Sequence, residues 1–451
     1  MINIKNGLPS TISFLSVLSG LMALRMAFYN DFKGAICLII MSCVLDLIDG
    51  KVDMAVFTYY ALIKNSADLN DFPATIVGLI DESKGADAII GAGKKYPNID
   101  SMNNSETKIV CVQNSPSETL ARVIMAHFNL DKLSENPFEF VDSMDSVYKK
   151  YQQAKPTDNR VFVLWEPYVT KILDNPDYHI LVDSSKFRGY IVDVIVAKRG
   201  FLIKNNNIVE NVIKSYLTTS FKNKSNMIDV VMSDAKSLGE PLKKEQAERL
   251  TKSIWWKNTQ ETFGHFGMNK GTGLQSMEDM GRNITDVLLR TKSINKDPTS
   301  GKYGMWYYDG IIKNLFDNSW HPGFGSESVR EEIKLNTLKD EEWSQLKPVG
   351  TLQVPRLVFS RGTDKISVAS ESTLIDLSEK LKVWPQYYLI VQGHASSDGD
   401  VSANLALANR RAKATVEWLS AHGVDKNRIK AETAKQNGST TVAFVVGEIP
   451  Y

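Results

Sequence analysis

Asp46 and Asp49 are the residues of this 451-residue chain whose type and spacing most directly suggest chemistry. In Asp46-Leu47-Ile48-Asp49-Gly50 the spacing places both carboxylates on one face of a helix. Such a pair suits Mg²⁺ or Mn²⁺ held against a pyrophosphate, because hard divalent cations take oxygen ligands. Both residues close an apolar stretch, where an acidic side chain is costly and so marks a functional candidate. The common catalytic signatures are missing elsewhere: no G-x-S-x-G, HExxH or P-loop occurs, and Gly264-His265-Phe266-Gly267 is not a phosphate loop. His265 and His321 have no Cys or His partner at ligand spacing, so no metal site and no cofactor are expected. The three cysteines, Cys37, Cys43 and Cys111, form no disulfide framework.

The elements around these residues fall into three parts. Residues 8–28 and 32–48 are apolar runs parted by Tyr29-Asn30-Asp31. A spanning helix needs about 20 apolar residues, and the small residues Ser13, Ser16, Gly20 and Gly34 would allow close helix packing. Residues 1–52 are therefore expected to form a membrane hairpin, the alternative being a secretory signal. From Asp53 the pattern becomes α/β. Short apolar runs at 54–57, 74–80, 85–90, 108–112, 162–167, 179–182 and 191–197 alternate with helical stretches, which predicts βαβ units and largely parallel sheets. Ser115-Pro116-Ser117-Glu118 reads as a helix start, with Ser115 as N-cap and Glu118 completing a capping box. Residues 326–350, rich in Glu, Lys and Asp, read as a linker. Beyond it, 351–451 reads as a compact β/α domain with helices near 371–381 and 405–419 and strands near 387–391 and 441–446.

Composition narrows the function classes. The 53 Lys+Arg against 52 Asp+Glu give a net charge of +1, with 43% hydrophobic and 23% charged residues. These proportions exclude a disordered, collagen-like or disulfide-scaffold chain. A neutral chain has no excess of cations to neutralise phosphates, so nucleic acid is not an expected partner.

Three resemblances add to these readings. Pro9-Ser10-x-x-Ser13, Leu18-Ser19-Gly20-Leu21 and Leu45-Asp46-Leu47-Ile48-Asp49-Gly50-Lys51-Val52 resemble the start of CDP-alcohol phosphatidyltransferases, in particular phosphatidylserine synthases. That family continues its motif with Ala-Arg and two further aspartates. Here Asp53-Met54 stands in that place, so Asp46 and Asp49 are vestigial and no catalysis is expected. Gly50-Lys51-Val52-Asp53-Met54-Ala55-Val56, Ser115-Pro116-Ser117, Trp165-Glu166-Pro167 and Asp193-Val194 resemble the periplasmic solute-binding proteins of ABC transporters, the nitrate/sulfonate/taurine-like group. This implies a two-lobed α/β domain over 53–325, its first lobe incomplete. A small anionic solute would be bound at a helix N-terminus by Ser115 and Ser117, faced by Thr58 and Tyr59 and lined by Trp165 and Glu166. An ABC permease is the implied partner.

Gly393-His394-Ala395, Gly399, Asn404-x-x-Leu407-x-x-Arg410-Arg411-Ala412, Val416-x-x-Leu419 and Gly423-Val424 resemble the OmpA-like peptidoglycan-associating domain. The resemblance implies that Arg411 clasps a diaminopimelate carboxylate and that an aspartate takes its ammonium. Ser396 occupies the aspartate position, Asp398 or Asp400 being the nearby substitutes, and Asn404 matches a polar position of the family.

Together these readings imply a non-enzymatic cell-envelope protein. It is anchored in the membrane by its N-terminus, with a periplasmic soluble part that binds a small anion and peptidoglycan. The alternatives are a truncated, inactive membrane phosphatidyltransferase with accessory domains, and a wall tether with a non-binding cleft. The stretch 49–53, where two families meet, reads as a recombination or assembly joint.

Overall fold

The computed structural model describes residues 52–67, 74–237, 241–269, 271, 273–323, 327–330, 335–436 and 439–449. The expected membrane hairpin, with Asp46 and Asp49, lies outside these residues. Among the described residues no helix is long and apolar enough to cross a membrane.

Thirteen strands are found among the described residues: β1 Met54–Thr58, β2 Ala74–Ser83, β3 Asp87–Ala92, β4 Lys108–Val112, β5 Phe138–Val141, β6 Arg160–Trp165, β7 Tyr178–Asp183, β8 Val192–Lys198, β9 Ile254–Trp256, β10 Lys347–Thr351, β11 Tyr388–Ala395, β12 Ile429–Gln436 and β13 Val442–Glu448. They build three sheets, in the orders β1-β8-β2-β9, β5-β4-β6-β3-β7 and β10-β13-β11-β12. The protein is mixed α/β. The expectation of largely parallel sheets is corrected here. Every pairing of the first sheet is antiparallel. In the second, β4 runs parallel to β5 and β6, but β3 is antiparallel to β6 and β7.

The chain divides into two compact units. The first comprises the described residues up to Ser83, within Asn114–Pro116 and within Gly189–Arg330. Its β1 is buried at its centre and β2 almost throughout, matching the apolar runs at 55–57 and 74–80. The helix Tyr59–Ser66 packs toward Met277–Arg290, where Tyr59 donates to the Met277 carbonyl at 3.3 Å. A buried polar group lies in the same unit. Lys257 Nζ meets Glu82 Oε2 at 2.6 Å, and Glu82 Oε1 accepts from the Gly189 amide at 2.7 Å. Burial alone would raise the Glu82 pKa, but the Lys257 ammonium and the Gly189 amide hold it low.

The second unit comprises Lys84–Gln113, Ser117–Arg188 and Glu331–Tyr451. Its five-stranded sheet has the fully buried β3 inside and a core of Ala88, Ile90, Val110, Phe162, Leu164 and Ile172. Its four-stranded sheet carries the helix Val401–Ala421 across β11 and β12. Gly393 permits this approach, because a Cβ there would lie 2.3 Å from the Ala408 carbonyl oxygen. The boundary read from the sequence shifts: the expected linker contains the short helix Asp340–Ser344 and most of β10, which pairs with β13.

Within this unit the two sheets are joined by a buried seam. Thr351 donates its amide and hydroxyl to Asp100 at 2.7 and 2.8 Å. The Thr351 carbonyl accepts from the Asn129 amide at 2.8 Å, and the Arg188 amide donates to the Val383 carbonyl at 2.9 Å. Trp384 and Tyr387, 1% and 0% exposed, pack edge-on against Phe187, and Trp384 also meets His127. Lys186 reaches Glu448 at 3.0 Å across the same seam.

Candidate functional site

Arg411 projects from the third turn of the Val401–Ala421 helix, and its guanidinium is fixed from two directions. Nε donates to the Thr363 carbonyl at 3.0 Å and Nη1 to the Thr440 carbonyl at 2.9 Å. The guanidinium carbon lies 4.9 Å from the centre of the Phe359 ring, within cation–π range. These contacts preorganise a planar fork, and Nη2 is left without a hydrogen-bond partner among the described residues. Partial burial lowers the guanidinium pKa, Asp364 raises it again, and the neighbouring Arg356 and Arg410 lower it. A guanidinium titrates so far above neutrality that it stays charged.

The loop after β11 holds the other residues named for this site. Ser396 Oγ accepts from the Asp398 amide at 3.1 Å, and Asn404 Nδ2 donates to the Asp398 carbonyl at 2.7 Å and the Ser396 carbonyl at 3.4 Å. Ser396, Asp398 and Asn404 therefore form one local lock. Asn404 and Arg411, seven residues apart, share a helix face two turns apart. Asp400 caps the helix by accepting from the Ala403 amide at 3.0 Å, which commits its carboxylate. No carboxylate stands at position 396, as the sequence already shows.

The residues expected to hold a solute come from both compact units. Thr58 caps the Tyr59–Ser66 helix by accepting from the Ala61 amide at 3.1 Å. Tyr59 is a core residue with 0% exposure, and burial pushes its phenol well above the ordinary range, Tyr307 and Glu278 adding to the shift. Both belong to the first unit, whereas Ser117, Trp165 and Glu166 belong to the second. Glu166 is buried, and its carboxylate takes the amide and hydroxyl of Thr170 at 3.1 and 2.8 Å, opening the helix Tyr168–Leu173. Trp165 ends β6 opposite Asp87 and packs partly against the sheet core. Ser115 is buried at the start of the Pro116–His127 helix. The Ser117 hydroxyl, in the first turn of that helix, is fully buried and has no hydrogen-bond partner among the described residues. Glu118 pairs with Arg122 one turn on, at 2.7 Å.

Among the described residues no cluster of His, Cys, Asp and Glu could hold a metal ion. His265 is buried, with Nδ1 on the Gln275 carbonyl at 2.7 Å. Sequence reasoning missed Thr363, Thr440 and Phe359 as the frame of Arg411. The only signal for them was the Arg-Arg-Ala motif itself, because these contacts join segments 29 to 52 residues away in sequence.

Comparison with known proteins locates the arginine fork. Residues 358–443 match the OmpA family. The chain is 36% identical over 75 residues to a peptidoglycan-associated lipoprotein of Brucella melitensis, covering 17% of this chain and 45% of that protein. A peptidoglycan-associated lipoprotein of Agrobacterium fabrum is also 36% identical over 75 residues, covering 17% of this chain and 42% of that protein. The chain thus spans less than half the length of these relatives. Among solved structures, the periplasmic aliphatic sulphonate binding protein SsuA of Escherichia coli aligns at 13% identity and a TM-score of 0.45, over 72% of this chain and 95% of that one. A Candida albicans gene product with the generic periplasmic binding protein fold aligns at 13% identity and a TM-score of 0.44, over 67% and 92%.

Proposed function

We propose that this chain is a non-enzymatic cell-envelope protein whose C-terminal domain associates with peptidoglycan through Arg411. The observation that carries this reading is the Arg411 fork, held by the Thr363 and Thr440 carbonyls over Phe359. A fixed, charged, partly desolvated guanidinium with a free N–H edge receives a carboxylate at a small entropic cost. The family match of residues 358–443, and relatives named for peptidoglycan association, support a wall peptide as the source of that carboxylate. The wall lies in the envelope, and the reading places the folded part of the protein there. Arg411→Ala should abolish retention of the full chain on purified sacculi while circular dichroism shows it still folded, with a melting temperature lowered by the loss of the Thr363 and Thr440 bonds. Retention equal to that of the unsubstituted protein overturns the assignment.

A second activity is favoured by one observation, the buried Ser117 hydroxyl without a partner in the first turn of a twelve-residue helix. A helix N-terminus presents free amides and the positive end of its dipole, so it suits an oxyanion. In this reading Ser117, with Ser115, binds a small anionic solute such as a sulfonate or carboxylate, to be passed to an ABC permease. Methanesulfonate, phosphate and acetate at millimolar concentration are the probes. A raised melting temperature that Ser117→Ala removes supports solute binding, and no shift with any of the three leaves the wall-tether alternative.

A further inference from the structure

We propose that residues 198–208 of the first unit, with Met305 beside them, form a surface that lies on an anionic lipid bilayer. Ile203, Ile208 and Met305 enter the interface, and Arg199 and Lys204 meet lipid phosphates. Large apolar side chains on a folded surface mark a partner when they gather beside charges that the partner complements. Ile203 is 81% exposed, Met305 51% and Ile208 46%. The interior needs none of them, because their neighbours Leu202, Trp306 and Val209 supply the buried side chains of these segments. The six-residue helix Arg199–Lys204 carries Ile203, and the helix Asn206–Asn223 that follows carries Ile208 in its first turn. Arg199 brings in the third member, donating from Nη2 to the Met305 carbonyl at 3.2 Å.

Charge and tether both select a membrane as the occupant. Residues 198–208 hold Lys198, Arg199 and Lys204 and no acidic residue. Cations beside exposed apolar side chains are the composition of a segment that lies in a bilayer interface, and the cations favour anionic lipid. The tether follows from where the chain enters the unit. The apolar run 32–48 ends five residues before Asp53. The Asp53 carbonyl accepts from the Lys198 amide at 3.0 Å, and its carboxylate lies 3.7 Å from the Lys198 ammonium. Five residues span at most about 18 Å, and Ile203 lies about 8 Å along its helix from Lys198. The patch is thus on a short tether from a stretch whose sequence is expected to enter a bilayer. This assignment rests on that membrane expectation for residues 1–52 and adds to it a peripheral contact made by the folded surface.

The test places the full chain with vesicles of phosphatidylglycerol and phosphatidylcholine, with vesicles of phosphatidylcholine alone, and in micelles of an uncharged detergent. Vesicle flotation reports whether the chain is membrane-bound, and hydrogen exchange reports the amides of residues 200–208. A patch seated about four-fifths of the time slows their exchange about fivefold. That slowing is expected on the phosphatidylglycerol vesicles relative to micelles. Ile203→Asp and Lys204→Glu should each remove most of it while flotation persists. Circular dichroism checks that each variant folds. The proposal is overturned if exchange at 200–208 is the same on phosphatidylglycerol vesicles as in micelles, or if neither substitution changes it. Equal slowing on phosphatidylcholine alone overturns the assignment to anionic lipid. Slowing in micelles that grows with protein concentration gives the patch to a second copy of the chain and overturns it too. A full chain that does not float removes the membrane expectation and this proposal with it. Flotation with residues 200–208 unshielded removes this proposal alone.

Discussion

At the scale of single residues, the sequence locates Arg411 but cannot show what holds it. A motif records spacing along one helix, while the Thr363 and Thr440 carbonyls and the Phe359 ring come from two other segments. The same limit applies to Tyr59. In Thr58-Tyr59-Tyr60 both tyrosines are core, and Tyr59 bonds Met277, 218 residues away. His265 shows a further consequence of burial. Its pKa is pushed down to about 3, first by burial and then by the Lys257 ammonium. The unfolded chain takes up a proton near pH 6.5 and the folded chain does not, so the folded state loses stability as pH falls from 7 toward 3. Asp193 has the opposite sign, because burial raises its pKa to about 6 and its folded form keeps a proton that the unfolded chain releases near pH 4. Its contribution falls as pH rises through that window. The His265 effect is therefore isolated by comparing a variant with its parent. His265→Asn keeps a donor near Nδ1 for the Gln275 carbonyl and removes the titration. Between pH 7 and 5 the parent should lose about 1–2 kcal/mol more stability than the variant in urea titrations. Parallel pH profiles would refute this account.

At the scale of elements, strand and helix positions were legible and strand directions were not. The runs at 54–57, 74–80, 108–112 and 191–197 became β1, β2, β4 and β8, because their largely apolar segments bury both faces. Burial on both faces looks the same in parallel and antiparallel neighbours, which is why β3, antiparallel to both β6 and β7, carries no mark of its direction. β5, β9, β10 and β12 were missed, and β12 shows why. Its sequence, Ile429-Lys430-Ala431-Glu432-Thr433-Ala434-Lys435-Gln436, is polar because it is an edge strand, paired with β11 alone. Register and position come from its partner rather than from its own hydrophobicity. Arg428, just before it, is another element-scale device that composition hides. It donates to the carbonyls of Leu381, Trp384 and Tyr387 at 2.9, 2.7 and 2.9 Å, closing the end of the Val368–Val383 helix. The candidate site inherits its rigidity from this scale, since the helix Val401–Ala421 is seated against β11 through Gly393.

At the scale of the whole molecule, the sequence suggests modules in series, whereas contacts define units that take segments from distant parts of the chain. The second unit combines Lys84–Gln113 and Ser117–Arg188 with Glu331–Tyr451. Its seam of Phe187, Trp384 and Tyr387, flanked by the Asp100–Thr351 and Lys186–Glu448 contacts, has the burial of an interior rather than of a transient interface. A buried seam of this kind couples the stability of the two sheets, because loosening one uncovers apolar surface of the other. Trp384→Ala should cost about 3–5 kcal/mol, the range for removing a large buried aromatic. The discriminating measurement is hydrogen exchange at β3, which lies in the other sheet of the unit and does not include residue 384. If the unit opens cooperatively, the amides of Ala88, Ile89 and Ile90 should exchange faster in the variant by a factor that tracks the loss of global stability. If those amides keep their protection while β11 and β13 lose theirs, the seam joins two independently stable parts, and the wall attachment proposed at Arg411 would be mechanically separate from the five-stranded sheet.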